Sequence, residues 1–422
     1  METAPCMKKI ETETSDSLSS LPDELIVSIL SLLPAKEVAR TCILSKRWRN
    51  LWTIVPSLCF DSRDWDGDLE KFAAFVSKFL HKRDGATDTH IFRILCHGMY
   101  INDNLDPIYS EATKWVTYAV EDHPRILELS FSGCCSLHIP DCLFTCKTLE
   151  NLKLKMRGWD LLELKSSAVY LPRLTNLNLN RINFNVDNFD EFLSRCPILK
   201  DLSMEYCALN MPKFSCHSVK RLQIHYPRTS DETLSISAPC VENLVFNGDM
   251  DSRIILKDMP MVTQAIITVH SFVKREEYNC HLLSRLNGIN SLDISSICSK
   301  EMLQEELQKC PIFQSLKFLF LHEFCPYCGF DTWSSFIKHC PNLEELYLVP
   351  LEGPCEVNHE EHRRAKEHQN SEQIERFSCK GLKTVGIVYR RLSYSVHHLV
   401  ERLKYMTKVI KGLQIVLLED RV

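Results

Sequence analysis

Apolar residues along this chain follow two different rhythms. Near the start, Leu21, Leu25, Ile26, Ile29, Leu30 and Leu33 recur at steps of three and four, the spacing of one helical face. Pro22 suits the first turn of that helix, Asp23 and Glu24 suit its positive end, and Pro34 stops it. A second short helix is predicted through Val38, Ala39, Cys42 and Ile43. A third is predicted from Ser45 as N-cap, carrying Trp48, Leu51, Trp52 and Val55. Three helices this short hold more apolar surface than they can hide among themselves, so part of it must face something else.

From residue 126 the rhythm becomes apolar-x-x-apolar-x-apolar. It runs Ile126/Leu129/Phe131, Leu149/Leu152/Leu154, Leu174/Leu177/Leu179, Leu199/Leu202/Met204, Val219/Leu222/Ile224 and Val241/Leu244/Phe246. It continues through Val262/Ala265/Ile267, Ile289/Leu292/Ile294, Leu316/Leu319/Leu321, Leu343/Leu346/Leu348 and Leu382/Val385/Ile387. Units begin 20 to 27 residues apart, except the last, which follows after 39. That period belongs to leucine-rich repeats. In each unit the last two apolar residues alternate with an exposed one, so the segment is a short strand, and successive strands stack in parallel.

The segments between strands read as helical or irregular returns, such as Asp187 to Arg195, Met302 to Gln308 and Trp333 to Lys338. A solenoid needs closed ends. Residues 65–83 and Tyr109 to Val120 are predicted as helices and Ile91 to Cys96 as a strand, forming an N-terminal cap over 58–123. Gly353 to Arg376 is charged and reads as a surface excursion. Strand Leu382–Val388, a helix with Val396, Leu399, Val400 and Leu403, and strand Leu413–Leu418 close the other end. Residues 1–16 are polar, without periodicity, and read as disordered.

Composition narrows the function. Of 422 residues, 50 are Lys or Arg and 55 Asp or Glu, which gives no basic excess for nucleic acid or an anionic membrane. No apolar run is long enough to span a bilayer, and the N-terminus lacks the apolar core of a secretion signal. The 20 cysteines are therefore expected as thiols in a reducing compartment, nucleus or cytoplasm. Cys196-Pro197, Cys310-Pro311 and Cys340-Pro341 occupy matching places before a strand, as small core residues do. Twelve glycines and no nucleotide-binding or hydrolase motif leave no chemistry to assign, so the chain reads as non-catalytic and without a cofactor.

Leu21-Pro22-Asp23-Glu24-Leu25, Ile29-Leu30-Ser31-Leu32-Leu33-Pro34 and Leu44-Ser45-Lys46-Arg47-Trp48-Arg49-Asn50-Leu51-Trp52 together resemble the F-box of plant F-box proteins, over residues 17–57. Leu171-Pro172-Arg173-Leu174 and Cys340-Pro341-Asn342-Leu343-Glu344-Glu345-Leu346 are similar to the repeats of that family. Residues 377–422 resemble the FBD module that closes many of its members. The resemblance implies an α/β architecture: a three-helix F-box, an irregular leucine-rich-repeat horseshoe over 124–352 and an FBD cap. It also implies binding to a Skp-type adaptor, and through it to cullin and RING subunits of a ubiquitin ligase. Carried onto this chain, the adaptor-facing residues are Leu21, Pro22, Leu25, Ile29, Leu30, Leu33, Pro34 and Val38, with Trp48 and Trp52 partly internal.

A protein substrate would then lie on the exposed strand positions. Those are Ser130, Lys153, Lys155, Asn178, Asn180, Ser203, Glu205, Gln223 and His225, then Asn247, Ile266, Asp293, Phe320, His322, Tyr347 and Val349. Aromatic anchors ringed by polar groups suit a binding hot spot, which singles out Phe320, His322, Tyr347 and Val349. The FBD module or the charged excursion could instead cover these four. A hormone-like small molecule on the same face is the alternative, but Lys153 and Lys155 alone make a poor basic floor; a scaffold outside any ligase is another. His322, Cys325 and Cys328 beside His339 and Cys340 lack a second matched pair, so no zinc site is expected. His359, His362 and His368 in the excursion read as solvated, and Cys134-Cys135 as structural.

Overall fold

The structure is a computed structural model. It describes residues 21–83, 88–97, 106–131, 139–162, 169–184, 189–229, 233–249, 254–270, 282–295, 309–324, 335–350, 379, 381–391 and 412–420, with parts of 396–404. Residues 1–20, the excursion at 353–376, Cys134, Cys135, Met302 to Gln308, Cys325 and Cys328 lie outside the described residues.

The first elements among the described residues are helix α1 (Asp23–Leu30) and helix α2 (Ala35–Arg40). Pro22 and Pro34 stand immediately before them in extended backbone, where a residue without an N–H costs nothing. The third expected helix does not form as such. Residues 44–50 are turns and Leu51–Ile54 a short 3-10 segment, closed by bonds to the third residue back such as Thr53 N–H to Asn50 O at 3.0 Å. Pro56 ends the segment: a residue before proline is driven out of the helical region, and Val55 is extended. Ile26, Leu30, Val38, Trp48, Leu51 and Val55 close into a small core of their own.

The repeats form a single parallel sheet of fourteen strands among the described residues. It begins earlier than expected, with strand Ser57–Asp61 leaving the helical module directly. Strand Ile91–Cys96 follows, and helices α3 (Leu69–Lys82) and α4 (Asp106–Glu121) cover this end. Asp68 caps α3, its carboxylate accepting from the Lys71 N–H at 2.9 Å. The register then holds from strand to strand: Leu129, Leu154, Leu179, Met204, Ile224, Phe246, Ile267, Ile294, Leu321, Leu348 and Ile387 stand in line. The unit read as Ile126/Leu129/Phe131 is two residues out of phase, because Leu127, not Leu129, aligns with Leu152.

All the expected inward positions are buried, from Leu152 and Leu154 to Val385 and Ile387, as are the unit-starting residues Leu149, Leu174, Leu199 and Leu343. Behind the sheet, helix α5 (Phe189–Ser194) forms the return expected at 187–195 and packs Phe192 against Phe144 and Phe189 against Phe214. The next three returns are strands rather than helices: Lys213–Ser215, Leu234–Ser237 and Ile254–Lys257 make a second, three-stranded parallel sheet. These belong to the shortest units. An extended residue advances about 3.3 Å against 1.5 Å in a helix, so few residues can make that return only if extended. At the far end, strands Thr384–Tyr389 and Gln414–Glu419 continue the sheet, and Val396, Leu399 and Leu403 are buried in helical backbone between them. The terminal module therefore lengthens the sheet with two strands of its own.

Cysteines at unit starts are core residues: Cys196 and Cys340 are buried, while Cys310 is half-buried. Burial pushes the thiols of Cys196, Cys207 and Cys216 up to about 12. Among the described residues no helix is long and apolar enough to cross a membrane.

Candidate functional site

Two surfaces stand out. The first is on the helical module. Leu25, Ile29 and Leu32 follow one another at helical spacing on the α1 side and are 51%, 43% and 84% exposed; Ile43 and Leu44, beyond α2, are 83% and 59% exposed. These five are more than a third of the large apolar side chains exposed among the described residues, gathered within twenty positions. Concentrated exposure of this kind marks a contact surface. Pro22 is also exposed, and Leu21, Leu33 and Pro34 are half-buried at its margin. Leu30 and Val38 correct the expected set. Both point into the module's own core, fully buried with Ile26 and Trp48, so they support the surface from beneath. Sequence spacing missed Leu32, Ile43 and Leu44, since adjacent leucines at 32 and 33 cannot be told apart without the helix end. Arg47 ties down the start of α1, its guanidinium 2.5 Å from Asp23 Oδ1.

This module is fixed to the sheet. Trp52 packs on Phe79 with ring centroids 4.7 Å apart, and Ala35 sits in the main core. The Lys36 ammonium donates to the Asp64 carbonyl and lies 4.5 Å over the Trp65 ring. Buried Arg83 donates to the Val55 carbonyl at 2.7 Å and to Thr89 Oγ1 at 3.1 Å, beside the Asp122 carboxylate.

The second surface is the solvent-facing side of the sheet, which differs between its halves. In the first half charges are paired across strands. Glu128 takes Lys153 Nζ at 2.7 Å and Arg93 Nε at 3.3 Å, and Arg221 pairs with Asp201. Asn151 joins Asn176, and Asn180, which is buried, joins Glu205. A depression of about 360 Å³ lies here, floored by Asn151, Lys153, Asn176, Asn178, Ser203 and Gln223. Both its cations, Lys153 and Arg221, are already held by carboxylates, so it offers no free basic floor to an anion. At the exit of these strands Tyr206 and Tyr226 stack at 4.9 Å, although both adopt left-handed backbone, at a cost of about 1–2 kcal/mol each. Arg181 lies over Tyr206 and His270 beside Tyr226, contacts that offset the cost.

In the second half the four expected residues come together. Phe320 and Tyr347 are register partners and their rings stack, centroids 4.5 Å apart and 8° from parallel. His322 and Val349 are partners two residues further along. All four are half-buried. Beside Tyr347 the next strand carries Gly386, where a Cβ would fall 2.5 Å from Tyr347 Cδ1. The glycine therefore makes room for the ring. The Tyr347 hydroxyl donates to Glu345 Oε2 at 2.6 Å, and that bond raises its pKa. His322 Nε2 is 3.2 Å from Asp293 Oδ1. Phe318, exposed two residues before Phe320 on the same strand, widens the aromatic surface and was missed from sequence.

No metal-binding group of three or more His, Cys, Asp or Glu occurs among the described residues. His339 Nδ1 faces the Ser335 carbonyl at 3.2 Å and Cys340 is buried, so each is already engaged in packing.

Known proteins place these features together. The F-box domain family matches residues 18–60. A family described as "FBD-associated F-box protein At5g56370, LRR repeats" matches residues 112–348. Among curated relatives from Arabidopsis thaliana, "Putative F-box protein At3g58860" is 29% identical over 364 residues, covering 81% of this chain and 76% of its own. "F-box/FBD/LRR-repeat protein At5g56420" is 31% identical over 269 residues, 60% of either chain. "F-box/LRR-repeat protein 13" is 28% identical over 358 residues, 79% of this chain and 76% of its own.

Proposed function

Because this chain belongs to the plant F-box/leucine-rich-repeat family with FBD-associated repeats, we propose that it is the substrate-recognition subunit of a Skp–cullin–F-box ubiquitin ligase. The F-box docks a Skp-type adaptor through Leu25, Ile29 and Leu32, joined by Ile43 and Leu44 and bordered by Leu21, Pro22, Leu33 and Pro34. The observation that carries this reading is the apolar stripe left open on a module whose other side is locked into the sheet. The sheet holds a protein substrate at Phe320, His322, Tyr347 and Val349. Cullin and RING subunits, reached through the adaptor, bring the charged conjugating enzyme.

Catalysis in such an assembly is proximity. A tethered substrate presents its lysines at a raised effective concentration, and a rigid join between adaptor site and substrate site preserves that gain. The chain itself supplies geometry and no chemistry. Its action fits the nucleus or the cytoplasm.

Co-purification with a Skp-type adaptor tests the reading. Full-length protein is expected to form a one-to-one complex, lost on Leu25→Glu plus Ile29→Glu with the fold intact by circular dichroism. A folded protein that ignores the adaptor, or a double variant that still binds it, removes the ligase assignment. A small-molecule receptor is less well supported, since the depression on the sheet is open and its cations are paired.

A further inference from the structure

The two halves of the exposed sheet face carry opposite electrostatic designs. From strand Ser57–Asp61 to strand Arg221–His225 the outward positions hold Arg93, Lys153, Lys155 and Arg221 against Asp61, Glu128, Asp201 and Glu205. Cations and anions balance there, and several pair with one another. From Asn243 to Leu418 the described outward positions hold Asp249, Asp293 and Glu345 and neither lysine nor arginine. Among the described residues, Lys317 and Lys383 precede their strands at the sheet border, where both hold Glu344.

Asp293 and Glu345 flank the aromatic pair. Asp293 is the register partner of Phe320 on one side, and Glu345 shares a strand with Tyr347 on the other. Among the described residues neither carboxylate meets a lysine or arginine: Asp293 faces His322, and Glu345 accepts from the Tyr347 hydroxyl. Strands lie about 4.8 Å apart and Glu345 stands two residues, about 7 Å, before the register line of Asp293, Phe320 and Tyr347, so the two acidic positions are about 12 Å from each other. That is the span of about three to four residues of extended chain. Aromatic faces edged by carboxylates attract ammonium and guanidinium groups through the ring quadrupole and through charge-assisted hydrogen bonds.

We propose that this half of the sheet binds an extended substrate segment bearing two lysine or arginine residues about three to four positions apart, one on Asp293 and one on Glu345, with their stems over Phe320 and Tyr347. The proposal rests on the reading of this face as the substrate site and adds the chemical class of the substrate. The balanced first half repels no charge in particular, so selectivity resides in the second.

Selection of a displayed library of random peptides, about twelve residues long, on the full-length protein tests it. Selected peptides are expected to carry paired lysine or arginine and to bind more weakly as salt rises. Asp293→Asn plus Glu345→Gln, which preserves shape, is expected to weaken them about tenfold or more. Basic peptides that bind this variant as well as the parent overturn the proposal. Peptides without basic enrichment that still lose binding on Phe320→Ala plus Tyr347→Ala overturn the charge class and keep the site. Peptides indifferent to both variants overturn the site itself. If the alanine variant does not fold, the amide variant carries the test alone.

Discussion

Replacing Arg83 by methionine probes the join between the adaptor-binding module and the repeats. The Arg83 side chain is wholly buried and ties together four places in the chain. It lies at the end of α3 and donates to the Val55 carbonyl, the last residue of the F-box core, and to Thr89, just before strand Ile91–Cys96. Its Nε stands 3.8 Å from Asp122 Oδ2 at the end of α4, and Thr89 donates to that same carboxylate. Methionine keeps the apolar stem but leaves the Val55 carbonyl and the largely covered Asp122 carboxylate without the guanidinium. Removing one partner of a buried ion pair costs about 3–5 kcal/mol, because the remaining charge stays out of water. Four tryptophans, Trp48, Trp52, Trp65 and Trp115, lie in this region, so urea unfolding followed by tryptophan fluorescence reads it directly. Arg83→Met is expected to be destabilised by that amount. Arg83→Met with Asp122→Leu is expected to recover a substantial part, since neither charge is then left alone. A single variant within about 1 kcal/mol of the parent, or a double variant no better than the single, would refute the reasoning.

Three further outcomes follow from particular side chains. Gly386→Ala places a methyl against the Tyr347 ring and should cost about 1–3 kcal/mol, with a changed near-ultraviolet circular dichroism spectrum; an unchanged melt and spectrum would contradict the packing. Burial lowers the His225 pKa below its ordinary 6.5, so the unfolded chain takes up a proton before the folded one does. Stability should therefore fall as pH drops below about 6.5, and His225→Gln should flatten that part of the stability profile measured by chemical denaturation. Exposed Cys240 should be alkylated by iodoacetamide in the native protein, while Cys196, Cys207 and Cys216 react only after unfolding, as read by peptide mass spectrometry.

The repeat was legible because its inward residues are long aliphatics at fixed spacing, with one strand per unit. The same spacing was present at Val55/Leu58/Phe60, where the sheet begins, but a cysteine and two short polar residues around it hid a strand that leaves the F-box without a linker. The slip of two residues at Ile126 has a similar cause: Ile126, Leu127, Leu129 and Phe131 are all apolar, and only pairing with Leu152 chooses among them. The third F-box helix, expected from the spacing of Trp48 to Val55, forms only as the 3-10 segment Leu51–Ile54, and Pro56 holds Val55 extended at its end. In the candidate site, the aromatic residues could be named from alternation alone. What could not be read was Gly386 making room for Tyr347 and Glu345 accepting from its hydroxyl, since both depend on neighbours across strands. Leu30 and Val38 were misplaced because a helical stripe reveals which residues share a side, not which side faces inward.

Hydrogen–deuterium exchange of the full-length protein with and without a Skp-type adaptor measures the adaptor surface in place. Slowed exchange in α1 and in the stretch from Thr41 to Leu44, with strands Phe318–Phe324 and Glu345–Pro350 unchanged and free for substrate, is the predicted result. Protection confined to the sheet, or none anywhere at saturating adaptor, would contradict it.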